Sequence, residues 1–139
     1  MGYDLGWLVG HTLVGVDSLG HGRWRFGFGD GVEIRTDSPW RVVRDGGIVL
    51  SSEDHGRPYG LPQPIDAEAE CRAKIGGAVV RAAEVRDETR DIVIAFESGA
   101  RLEVIPLSSG YESWHLWGPG RRFTVAQGGG SLAVWDRDD

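Results

Sequence analysis

At 139 residues the chain has the size of one domain and can bury about two-thirds of the surface its unfolded form exposes, so it needs neither disulfides nor metal to fold. Twenty-one acidic residues against 15 basic give a net charge of −6, the reverse of the basic surplus with which nucleic-acid binders neutralise phosphates. A single cysteine, no basic and apolar leader at the N-terminus, and no apolar run near the ~18 residues of a membrane span argue against a disulfide, secretion and a spanning helix. The expectation is a cytoplasmic protein with no nucleic-acid or membrane partner.

In chain order, Val9-Gly10-His11-Thr12-Leu13-Val14 is the first apolar segment. The aromatics of Trp24-Arg25-Phe26-Gly27-Phe28 then fall on one face of a strand, and Val32-Glu33-Ile34-Arg35 repeats the alternation after Gly29-Asp30-Gly31. Asp-Gly supplies the positive φ of a tight turn, so this is a hairpin. Trp40-Arg41-Val42-Val43 opens a further apolar segment. Residues 54–64 hold three Pro and two Gly and read as an irregular loop. Asp66 can cap a short helix over Ala67–Ile75, which Gly76-Gly77 stops.

The second half repeats these features. Ile75-Gly76-Gly77-Ala78-Val79-Val80 resembles the first segment at a spacing of 66 residues. Ile92, Ile94 and Phe96, a turn at Glu97-Ser98-Gly99, and Leu102 with Val104 form a second hairpin at a spacing of 68. Trp114-His115-Leu116-Trp117 follows it as Trp40 follows the first, and two last strands, Arg122–Ala126 and Ser131–Trp135, flank Gln127-Gly128-Gly129-Gly130. The reading is one domain with an internal duplication, about 8–50 and 75–135, joined by a loop and helix over 53–76. Two such units give a mainly β fold, an antiparallel sandwich or barrel-like sheet. Alternation places Trp24 and Trp135 in its core.

Leu102-Glu103-Val104-Ile105-Pro106, then Tyr111-Glu112-Ser113-Trp114, then Gly129-Gly130-Ser131-Leu132-Ala133-Val134-Trp135 resemble a family of small bacterial proteins known only as a domain of unknown function. The resemblance is close over residues 75 to 135 and looser before them. It implies a β-rich fold and no assigned reaction, and it carries a loose association with toxin systems, in which such domains act as immunity or accessory proteins.

No motif carries catalysis. His11, His21, His55 and His115 lack metal-ligand spacing, and HExxH and CxxC do not occur. Cys71 lies in the helix without an evident base, and the serines lack a nucleophile elbow. The Gly clusters lie between strands, so they are hairpin turns rather than phosphate loops. No metal, cofactor or catalytic residue is therefore expected. The residues with binding potential are Glu53 and Asp54, beside His55 in the long loop, and the group Tyr111, Glu112, Trp114 and Trp117. The favoured reading is a non-catalytic binding domain, monomer or homodimer, that meets the basic surface of a protein partner, as an immunity-type protein does. Two alternatives stand beside it: a small-ligand domain with a Trp/Tyr-lined pocket between the halves, and an enzyme with a scattered His/carboxylate site.

Overall fold

The computed structural model describes residues 3–135. The strands are β1 (Gly15–Gly20), β2 (Arg23–Gly27), β3 (Glu33–Thr36), β4 (Trp40–Arg44), β5 (Gly47–Ser51), β6 (Val80–Val85), β7 (Ile92–Phe96), β8 (Arg101–Val104), β9 (Trp114–Trp117), β10 (Phe123–Ala126) and β11 (Leu132–Trp135). One α-helix, α1, spans Ala67–Ile75, and single 3-10 turns occur at Gly6–Leu8, Ser52–Asp54 and Gly128–Gly130. The strands form two open antiparallel sheets, ordered β1-β2-β3-β9-β10-β11 and β5-β4-β8-β7-β6. The result is a sandwich without a closed barrel.

Local chemistry explains the elements. Gly29, Asp30 and Gly31 all have positive φ, and the turn closes with Val32 N donating to Gly29 O and Phe28 N to Val32 O. The second hairpin turns at Gly99, where Phe96 N donates to Ala100 O. The Asp66 side chain accepts from Glu68 N and Ala69 N, so α1 begins where the sequence places it. Ala67, Cys71 and Ile75, spaced by four, form its buried stripe.

The two halves do not each make a sheet. β1–β3 join β9–β11, whereas β6–β8 join β4 and β5. The crossing strands dock in corresponding registers. Ile34 faces Leu116 as Leu102 faces Val42, and Thr36 faces Trp114 as Val104 faces Trp40. Two connections, residues 37–39 and 105–113, carry the chain between sheets. They lie together, with Asp37 N donating to Ser113 O and Ile105 N to Pro39 O.

Between the sheets lies a single apolar core. Phe26, Ile34 and Leu116 enter from one side, and Val42, Ile94 and Leu102 from the other. Trp40 packs edge-to-face on Trp24 at 5.0 Å and on Phe26 at 5.4 Å, joining the layers. Trp24 is buried, as alternation predicts, but Trp135 is 47 % exposed. The reason is register. Trp135 faces Phe123, which faces Trp117, so all three lie on the outer face of the six-stranded sheet, and β11 is its edge.

Candidate partner-binding site

The two sheet-to-sheet connections lie side by side at the surface. Thr36 Oγ1 accepts from Ser38 N at 2.8 Å, and this turn leaves Asp37 exposed above the buried Ser38. In the other connection, Ser108 Oγ accepts from Gly110 N and Tyr111 N at 3.1 and 2.8 Å. The Gly110 backbone lies so close to Gly128 that a Cβ there would overlap it. The loop is thus pinned from below, and Tyr111 (81 % exposed) and Leu107 (75 % exposed) stand in solvent.

Open clefts lie on both sides of Asp37–Pro39. The larger, about 690 Å³, is lined by Asp37, Leu107, Ser108, Tyr111 and Glu112 among others. The smaller, about 240 Å³, is lined by Gly22, Trp24, Ser52 and Glu53 with the same connection. Glu53 borders the smaller cleft and the pair Tyr111 and Glu112 the larger, so residues far apart in sequence flank the same connection, Asp37–Pro39. Among the described residues neither Asp37 nor Glu53 forms an ion pair, while Glu112 Oε1 lies 3.1 Å from His115 Nε2. That is the one His–carboxylate contact among the described residues.

The other expected site residues lie elsewhere. Asp54 is occupied internally, its carboxylate accepting from Ser51 N at 2.9 Å and from the Tyr59 hydroxyl at 3.0 Å. That carboxylate, helped by some desolvation, holds the Tyr59 phenol above its ordinary value. His55, its neighbour, accepts from Ala67 N through Nδ1 at 3.0 Å and so closes the start of α1. Trp114 is fully buried, donating from its indole to Arg90 O at 2.9 Å, and presents no binding surface. Trp117 is half-buried on the outer sheet face, tilted at 41° against Phe123 with ring centres 4.9 Å apart and the Arg35 guanidinium 5.3 Å from its ring centre. It borders a different hollow of about 590 Å³ with Arg121, Phe123 and Trp135. Asp37 and Leu107 join the site without any binding-type signal in the sequence. The Asp37-Ser38-Pro39 cluster was a turn signal, but nothing local says that two such connections meet.

Cys71 is fully buried, and desolvation pushes its thiol up to about 12 despite the nearby Arg72 and Lys74. It is a packing residue. Among the described residues no group of three or more His, Cys, Asp or Glu side chains could hold a metal, and no helix is long and apolar enough to cross a membrane.

In class, then, this is an open β-sandwich of interleaved halves with open clefts where its inter-sheet connections meet. The chain belongs to the Family of unknown function (DUF6188), whose model matches residues 24–136 and so spans strands of both halves. No curated protein and no solved structure matches it.

Proposed function

We propose that the domain binds a protein partner without catalysis, using the acidic surface around Asp37, Glu53 and Glu112, with Tyr111 and Leu107 as apolar anchors. The observation that carries this reading is the convergence of the two connections, which sets carboxylates and two exposed apolar side chains around open clefts. Exposed aromatics beside unpaired charge are the ingredients of an interface anchor and of electrostatic steering. A basic partner suits the net charge of −6. An immunity-type role in the cytoplasm, sitting on a basic enzyme such as a nuclease toxin, agrees with that charge and with the association the family resemblance carries. The corresponding registers of β3–β9 and β8–β4 support an origin of the two halves by duplication.

An affinity pull-down from lysate of the protein's own source, at low and high salt and read by mass spectrometry, tests this. The expected result is one stoichiometric protein, released as salt shortens the screening length from about 10 Å at 0.1 M to about 3 Å at 1 M. A Tyr111→Ala, Glu112→Lys double variant should lose it. Undiminished capture by that variant rules out this surface, and no capture at either salt rules out the reading.

A small-ligand reading has one observation on its side. The hollow beside Trp117, Phe123 and Trp135 falls within the size range of ligand sites, although it lies on an outer face rather than between the halves. Quenching or shift of tryptophan fluorescence by a metabolite library, abolished in Trp135→Ala, would support it.

A further inference from the structure

An open sheet edge presents unpaired backbone groups to any passing strand, and folds usually bend, charge or cover such edges. Three of the four edges here are treated in this way. β1 shifts register between Ser18 and Gly20, and α1 lies along it, with Arg72 donating to Val16 O and Ser18 N donating to the Glu68 carboxylate. β5 is bulged at Val49, since Val42 faces Leu50 while Val43 faces Ile48. β6 is bulged at Arg81 and overlain by the N-terminal segment, where Tyr3 bridges Val85 and Gly10 N donates to Val80 O.

β11 has none of these features. Its register with β10 is unbroken over all four residues, it carries no charge, and Val134 and Trp135 are 49 and 47 % exposed. Gln127 N donates to Ser131 O, so residues 131, 133 and 135 direct their backbone groups toward β10. The N–H and C=O of Leu132 and Val134 therefore point outward, and among the described residues they have no partner on that side.

We propose that β11 is a self-association strand, through which two copies of this chain pair antiparallel about a two-fold axis at Ala133. In this register Leu132 of each copy faces Val134 of the other, and each such pair exchanges both backbone hydrogen bonds. Ala133 meets its own copy at the axis, in the non-hydrogen-bonded position where facing residues approach to about 4.5 Å and a small side chain fits. A slip by one residue sets outward Trp135 opposite inward Leu132 and mismatches the faces. The strand is thus complementary to itself. Having no charge, the strand meets no like charge in its copy, and Trp135, at the open end of the aromatic row, faces the small Ser131 of the copy without a clash. So small an interface falls below the ~1,200 Å² of stable complexes, so the dimer is weak and depends on concentration. This surface is separate from the acidic connections, so the two proposals stand or fall independently.

Sedimentation velocity across micromolar to millimolar concentrations tests it. The wild-type chain should pass reversibly from monomer to dimer. Val134→Pro removes an outward N–H, a change that edge strands tolerate, and should stay folded by circular dichroism and monomeric. Ala133→Lys should also be monomeric, whereas an equimolar mixture of Ala133→Lys with Ala133→Glu should recover the dimer by opposing charges at the axis. That mixture decides the matter even if the proline variant unfolds. A wild-type chain that stays monomeric throughout overturns the proposal, as do lysine and proline variants that dimerise like it. Pairing of β11 with a different protein by a chain that is itself monomeric also overturns it.

Discussion

Trp40 and Trp114 open the two strands that cross between the sheets, and both are fully buried. Their indoles differ. Trp114 donates to Arg90 O, whereas Trp40 Nε1 has no partner among the described residues. Trp→Phe at either position loses volume, but at Trp114 it also strands a carbonyl. In urea unfolding, Trp114→Phe should therefore cost more than Trp40→Phe by about 1 kcal/mol, the usual net value of one hydrogen bond. Equal losses would mean that the Arg90 contact contributes nothing. Gly130 gives a sharper case. Its φ is +99°, and a Cβ would collide with the Glu88 carbonyl, so Gly130→Ala should destabilise by more than ~1 kcal/mol in the same assay.

At the scale of elements, each sheet carries on its outer face one glutamate clamped by two arginines. Arg25 and Arg35 hold Glu33, and Arg41 and Arg101 hold Glu103. Burial works to raise both carboxyls, but the hydrogen bonds and charges of the arginines outweigh it and keep both below the ordinary value of 4.5. Such groups stabilise the fold in full above their unfolded-state value and lose that contribution as pH falls through the lower folded value. Unfolding free energy should thus decline below about pH 4.5, and Glu103→Gln should flatten that decline. A variant as acid-sensitive as the wild type would remove Glu103 from the account. The hairpins and α1 were legible in the sequence because their signals are local: aromatic alternation, an Asp-Gly turn, an aspartate cap. β1 and β6 lack a strand signal, being interrupted by Gly, Asp and Ser or by exposed Arg and Glu, and β5 offers only three consecutive apolar residues between Gly47 and Ser51. Trp135 was misplaced because alternation gives the period of a strand and not which face meets the core.

Across the whole molecule, the candidate site shows the same division. Glu53, Tyr111 and Glu112 are readable as loop residues of binding type, but their placement on the two sides of Asp37–Pro39 follows from the exchange of strands between sheets, which no local pattern encodes. That exchange predicts how the molecule answers a cut. Proteolytic nicking in the exposed loop of residues 56–64 should leave two fragments that co-elute under native conditions, because each sheet contains strands of both. Separation without denaturant would contradict the pairing of β3 with β9.

The same interleaving sets a timetable for synthesis. When the ribosome has made β1 to β5, neither sheet can close, since β3 waits for β9 and β4 for β8. The nascent chain must carry Trp24, Phe26, Ile34 and Val42 without their final cover until Trp117 has emerged. Partners so distant in sequence make for slow closure, in the millisecond-to-second range typical of β-sandwiches. The unfinished chain is thus the moment of greatest exposure to aggregation and to chaperones.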